Sequence, residues 1–147
     1  MEAAEAERRE AAIKDIFVQL ESQGYMNIEY YIELGIDMNK VRNQHQETPL
    51  IFVSRIGELD MFRYLVGAVN GLNVDSIDSY EGNTALHMAA KKGYIEIAEI
   101  LTQRGANPLI KNSKGRRPLD EAVLAGNEVI AELLETYVVH YERSAKQ

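Results

Sequence analysis

Apolar residues recur along this chain in short runs with helical spacing, most of them closed by a glycine. Ile97, Ile100 and Leu101 fall at i, i+3 and i+4 between Gly93 and Gly105. That spacing puts them on one face of a helix. Ile13, Ile16, Phe17 and Leu20 make a similar stripe, as do Leu59, Met61, Tyr64 and Leu65, and again Ile130, Leu133 and Leu134. A second, shorter kind of run precedes three of these. Leu86 to Lys92 follows Thr84, whose hydroxyl suits an N-cap because it can accept a bond from an orphan backbone N–H. The next position is Ala85 here and Pro49 and Pro118 elsewhere. Proline fits the first helical position, where its missing N–H costs nothing. Gly93 then ends the short helix, and Gly105 with Pro108 ends the longer one. The pattern predicts a unit of helix, tight turn, second helix and extended loop.

The unit repeats. Gly82 and Gly115 are 33 residues apart, and Gly24 lies 33 before Gly57. A period of that length predicts stacked repeats, since one helix pair cannot bury its apolar side alone. Thr84-Ala85-Leu86-His87-Met88-Ala89 departs at one position from T-P-L-H-x-A, and Gly105-Ala106-Asn107-Pro108 follows its second helix. On these residues the chain resembles the ankyrin-repeat family. The resemblance implies an all-α solenoid of about four stacked helix-turn-helix units with hairpin-like loops. It covers roughly Ile13 to Tyr137, most strongly from Asn43 onward.

The units are expected at about 13–42, 43–78, 79–111 and 112–137. The first is degenerate: it lacks a Thr-Pro-Leu-His start, its second helix is short, and Ile28, Tyr31 and Ile32 are read as that helix's apolar face. Gly35-Ile36-Asp37-Met38-Asn39 closes it. The second opens with Thr48-Pro49-Leu50, with Ile51 in place of histidine. About three extra residues fall around Val69 to Asn73, because Leu65 to Gly82 spans 17 positions where Leu101 to Gly115 spans 14. Such an insertion maps to a loop, either as tolerated variation or as part of a binding face. The fourth unit has Arg117 at the cap position and Asp120 at the histidine position. Asp120 and Glu121 then complement the helix dipole, and Glu128, Glu132 and Glu135 face water as a capping unit needs. Residues 1–12, alanine-rich and charged with Glu5 and Arg9 at i,i+4, read as a solvated helical lead-in, with a helical arm for a partner as the alternative. Residues 138–147 read as an extension of the last helix, with Tyr137 to Tyr141 packing back on the stack or, alternatively, forming a small contact surface.

Composition narrows the function. The 147 residues carry a net charge of −7, which disfavours general affinity for nucleic acid or anionic membrane. There is no cysteine, hence no disulfide framework and no thiolate nucleophile or ligand. No signal peptide and no membrane-length apolar run is evident. The three histidines, His45, His87 and His140, have no metal-ligand spacing. The glycines form neither a dinucleotide fingerprint nor a P-loop. Met1 and the cap-like fourth unit favour a complete chain. No catalytic site, cofactor or metal is expected, and the compartment is read as cytoplasmic, with the nucleus as the alternative.

The resemblance implies a structural role for His87, hydrogen-bonded between neighbouring loops. It also implies a concave protein-binding surface built from loop tips and first helices. By position that surface holds Gln44, His45, Glu47, Arg55 and Ile56 in the second unit. Tyr80, Glu81, Asn83, Lys91 and Lys92 follow in the third, and Lys111, Ser113, Lys114, Arg116 and Leu124 in the fourth. Residues 1–75 carry 7 basic and 13 acidic side chains, while 76–147 carry 9 and 10. The second half therefore holds the basic side of an acidic protein. The chain is read as a non-catalytic adaptor or scaffold, monomeric, binding a protein partner with an acidic segment, Tyr80 serving as an aromatic anchor. Two other readings are a stoichiometric regulatory inhibitor or assembly chaperone, and the ankyrin portion of a larger enzyme or channel.

Overall fold

The computed structural model describes residues 1–22 and 26–146, so Gly24 lies outside the described residues. Eight helices follow one another: α1 (Glu2–Glu21), α2 (Ile28–Glu33), α3 (Pro49–Ile56), α4 (Leu59–Ala68), α5 (Ala85–Lys92), α6 (Ile95–Gln103), α7 (Pro118–Ala125) and α8 (Glu128–Ala145). No strand occurs among the described residues. The odd-numbered helices pack side by side as an inner row, α1 on α3 on α5 on α7. The even-numbered helices form an outer row behind them. This is the four-unit solenoid that the periodicity predicts.

The helix starts are built as the sequence suggests. Thr48 Oγ1 accepts from Ile51 N–H at 3.4 Å, and Thr84 Oγ1 from His87 N–H at 3.2 Å. Arg117 has no acceptor to offer. Its own N–H instead donates to Asp120 Oδ2 at 2.9 Å, so only half of a capping box forms. α3, α5 and α7 each end in a left-handed glycine, and at Gly57 (φ 78°) the next unit also requires it. A Cβ there would meet the Tyr94 ring at 2.5 Å. One unit on, Asn127 occupies the place of Tyr94, its amide donating to Ala90 O at 2.7 Å and Lys91 O at 3.2 Å.

The core is a ladder running through both rows. Ile16 and Leu20, then Leu50 and Val53, then Leu86 and Ala89, and finally Ala122 are buried on the inner row. Ile28 and Tyr31, Phe62 and Leu65, Ile97 and Leu101, then Ile130 and Leu134 are buried on the outer one. Two expectations are corrected. On α2, Ile32 is 45% exposed, and Ile28 and Tyr31 alone face the core. On α4 the core face is Phe62, Leu65 and Val66, while Tyr64 is exposed and bonds Glu29 at 3.5 Å. That helix is apolar nearly all round, so its spacing alone leaves the inward face undetermined.

α1 crosses residue 12 without interruption; residues 1–11 are exposed and Ala12 is the first buried one. The lead-in is anchored by Arg9, which pairs with Glu5 at 3.6 Å and donates to Leu34 O at 3.1 Å. Tyr31 holds α2 to α1 by donating to Asp15 at 2.6 Å. Burial, followed by the Asp15 carboxylate, raises that phenol's pKa well above the ordinary tyrosine value. At the other end α8 runs on past Tyr137, whose hydroxyl donates to Ala106 O at 2.7 Å, with Tyr141 6.0 Å from it. Val139 and His140 on the same stretch stay exposed.

Candidate protein interface

Between units the chain forms three narrow loop tips that project beside the inner row. A single Asn or Asp at the base folds each one. Asn43 Oδ1 accepts from His45 and Glu47 N–H, and Asn112 Oδ1 accepts from Lys114 and Arg116 N–H. In the middle loop, Asp78 accepts from Tyr80, Glu81 and Asn83 N–H. Two of the tips close on a left-handed glycine, Gly82 (φ 68°) and Gly115 (φ 72°), whereas the first closes on Gln46 at φ 58°. Adjacent tips are joined by Ser113 N–H donating to Glu81 O at 2.8 Å.

His87 links the third and fourth units. Its Nδ1 accepts from Thr84 N–H at 3.0 Å, which leaves Nε2 carrying the proton that is donated to Arg116 O at 2.9 Å. The ring is buried, and burial lowers its pKa below the usual histidine value in spite of the Arg116 bond and nearby carboxylates. Where Ile51 replaces the histidine one unit earlier, Arg42 makes the link. Its Nη1 donates to Gln46 O at 2.7 Å and to Ile77 O at 2.8 Å.

Apart from Ile56, which is partly buried against the core, the sequence-derived surface residues divide into two sets. Gln44, His45, Tyr80, Glu81, Lys91, Lys92, Lys111, Ser113, Lys114 and Leu124 are exposed, Tyr80 at 67%. Four others belong to internal networks, which corrects their reading as open contacts. Glu47 is buried and binds Arg55 Nε at 2.6 Å, Arg55 Nη2 at 3.3 Å and Asn43 Nδ2 at 2.9 Å. The Arg55 guanidinium also lies 5.3 Å from the Phe52 ring centroid, and its pKa is raised mainly by the Glu47 bond. Asn83 is buried, accepting from Asn112 Nδ2 at 2.9 Å. The same Asn112 amide donates to Glu121 Oε1 at 3.0 Å, and Arg116 lies 3.7 Å from that oxygen. Glu121 is thus a buried acceptor within this network, and Asp120 alone serves the helix start. Buried charges of this kind persist because each is paired and hydrogen-bonded.

The consequence is electrostatic. Arg55 and Arg116 are neutralised by Glu47 and Glu121, while Lys91, Lys92, Lys111 and Lys114 have no ion-pair partner among the described residues. Gln44, His45 and Arg55 are brought together with Phe17 and Phe52 in a groove of about 690 Å³ between α1 and α3. Ile13 and Phe17 lie on the apolar stripe of α1 yet remain only partly buried. The 69–73 insertion is docked on the first unit's loop, with Asn39 Nδ2 donating to Gly71 O at 3.0 Å and Asn39 Oδ1 accepting from Asn73 N–H at 2.7 Å.

No group of three or more histidines or carboxylates is arranged to hold a metal among the described residues. No helix there is long and apolar enough to cross a membrane. A stack of paired helices with projecting loop tips is the fold of a protein-interaction module. The chain belongs to the ankyrin-repeat family: residues 20–112 match the family model described as ankyrin repeats (3 copies). The putative ankyrin repeat protein FPV031 of Fowlpox virus (strain NVSL) is 33% identical over 110 residues, 73% of this chain and 32% of that protein. The potassium channel GORK of Arabidopsis thaliana is 39% identical over 79 residues, 54% of this chain and 9% of the channel. The mitochondrial liver isoform of glutaminase from Mus musculus is 32% identical over 99 residues, 67% of this chain and 16% of that enzyme. This chain therefore spans between 9% and 32% of the length of these relatives.

Proposed function

We propose that this chain is a non-catalytic adaptor that binds an acidic segment of a protein partner on the inner face of its third and fourth units. The observation that carries the reading is the contrast among its cations. Those nearest a buried carboxylate, Arg55 and Arg116, are paired with it, and Lys91, Lys92, Lys111 and Lys114 are left for a partner. Tyr80, standing exposed at the middle loop tip, supplies an aromatic contact beside them. Unpaired surface cations steer an acidic partner and select its orientation, and their contribution falls with added salt. In this reading the chain acts as a monomer without cofactor, with no preference for nucleic acid, in the cytoplasm or nucleus. The test is capture from a lysate with wild-type chain beside a Lys91→Glu, Lys111→Glu, Lys114→Glu variant of equal helicity. The captured protein is then purified and titrated against both. The reading requires that the variant bind it more weakly and with a flatter salt dependence. Equal binding by both removes the basic face from the account.

The relatives support a second reading, in which the chain is the ankyrin portion of a larger channel or enzyme, since it matches only 9% of GORK and 16% of glutaminase. An intact mass measured on the protein from its native source separates the two. Regulatory inhibition of the partner is a special case of the first reading, recognised by a fixed stoichiometry and loss of the partner's activity.

A further inference from the structure

The 69–73 insertion is fixed at its two ends and open between them. Val69 and Leu72 pack against the core. Asn39 of the first unit clamps the loop from the side, donating to Gly71 O and accepting from Asn73 N–H. Asn70 and Gly71 stand exposed between these anchors. Gly71 holds φ 70°, and a Cβ built there would meet no atom within 4 Å. Its own N–H has no acceptor among the described residues. A backbone amide thus lies open to solvent, next in the chain to an exposed carboxamide.

Asn70 differs from the other asparagines of the chain in two respects. It alone is followed by glycine. It is also the one whose side chain makes no hydrogen bond among the described residues. Asn27, Asn73 and Asn107 each accept from a backbone N–H two or three residues on. Asn43 and Asn112 fold loop tips, and Asn83 is bonded to Asn112. Asn39 is the clamp itself, and Asn127 donates to Ala90 O. Asn107 is protected further because Pro108 has no N–H to react. The fold therefore restrains every carboxamide except the one whose neighbour is least hindered.

We infer that Asn70-Gly71 is a deamidation site, at which the folded chain converts with age to a β-linked aspartate. The Gly71 amide nitrogen gives its proton to hydroxide and attacks Asn70 Cγ. A C–N bond closes a five-membered imide, and the side-chain nitrogen takes a proton from water and leaves as ammonia. Glycine suits the closure because it has no Cβ to crowd the ring. Water then opens the imide at either carbonyl. Opening at Cγ gives ordinary aspartate; opening at the main-chain carbonyl leaves the chain running through the side-chain carbon. In sum one water is consumed and one ammonia released, with no oxidant or cofactor. Both products place a new carboxylate in a hollow of about 270 Å³ that Asn70 shares with Arg104. Arg104 is exposed and has no carboxylate partner among the described residues, so the new charge gains a counter-ion. The β-linked product also inserts a methylene into the backbone just before Gly71. That displaces Gly71 O and Asn73 N–H from Asn39 and loosens the tie between the first two units.

The test ages the full chain at mildly acidic and mildly alkaline pH, folded and in guanidinium, and reads its proteolytic peptides by mass spectrometry. The peptide bearing Asn70 should gain about 1 Da, the difference between –NH2 and –OH. The gain should be faster at the higher pH and, in the folded chain, within about tenfold of the rate in guanidinium, because the fold leaves the reacting groups unrestrained. The product should accept a labelled methyl group from a β-aspartyl carboxyl methyltransferase. Asn70→Gln should abolish the gain at this position, and Gly71→Ala should slow it about tenfold. Hydrogen exchange at Asn73 N–H should quicken in the aged chain. It should stay at the wild-type rate in Asn70→Asp, which carries the charge without the longer backbone. The inference is overturned if the folded chain reacts at Asn70 more slowly than that tenfold margin, or if another asparagine reacts first. A product that is not methylated, or aged chain that keeps its original exchange at Asn73, also overturns it.

Discussion

Replacing Gln46 by glycine should stabilise this protein. Gln46 holds φ 58° at the turn where the other two loop tips place Gly82 and Gly115 at 68° and 72°. The turn is fixed from both sides: Gln46 N–H donates to Asn43 O at 3.0 Å, and its carbonyl accepts from Arg42 at 2.7 Å. The backbone cannot relax without losing both bonds. A side chain in the left-handed region costs roughly 1–2 kcal/mol, from the contact between Cβ and the following carbonyl. Glycine removes that contact but loses about 0.5–1 kcal/mol more in chain entropy on folding. The net gain is about 0.5–1 kcal/mol, or roughly 1–4 °C in the thermal midpoint for a chain of this size. Gly115→Ala reverses the logic in the same register and should lose about 1 kcal/mol. No atom lies within 4 Å of a Cβ built there, so the loss reports backbone strain alone. Urea denaturation followed by circular dichroism measures both. The reasoning is refuted if Gln46→Gly lowers the midpoint, or if Gly115→Ala leaves it unchanged.

Two further predictions test the interior. Gly57→Ala combines a positive φ with a Cβ only 2.5 Å from the Tyr94 ring, so it should cost more than Gly115→Ala, about 2 kcal/mol or beyond, by the same denaturation assay. His87 is kept neutral by burial, so its pKa is lower folded than unfolded. The unfolded chain then takes up a proton first as pH falls below about 6.5. The stability this group contributes is complete above that pH and is lost as pH drops toward the folded value. Between about pH 7 and 5.5 the thermal midpoint should fall in the wild type, and His87→Gln should flatten that part of the curve. An unchanged curve would show that His87 does not govern acid sensitivity there.

The repeat was legible because its determinants are local. Thr48 and Thr84 cap, glycines end the helices, and His87 stands in a six-residue motif, so each can be read within one unit. The site was legible only in part because its state depends on contacts between units. Nothing in Asn83 itself indicates that Asn112 of the next unit will bury it, and nothing in Arg116 indicates a buried Glu121 nearby. Glu47 and Arg55 are eight residues apart, a spacing that no helix or strand periodicity pairs; the loop tip folding back over α3 brings them within 2.6 Å. Lys91, Lys92, Lys111 and Lys114 kept their expected exposure because an unpaired lysine on an exposed face needs no second residue to place it. Phe62 was obscured for the opposite reason: on α4 too many neighbours were apolar for the inward face to stand out.

Lysine footprinting of the purified complex tests the interface most directly. The chain has seven lysines, at 14, 40, 91, 92, 111, 114 and 146. With the partner bound, acetylation read by mass spectrometry should slow at Lys91, Lys92, Lys111 and Lys114, while Lys40 and Lys146 react as in the free chain. Equal reactivity at all of them, or protection confined to Lys40 and Lys146, would place the partner elsewhere and contradict the account.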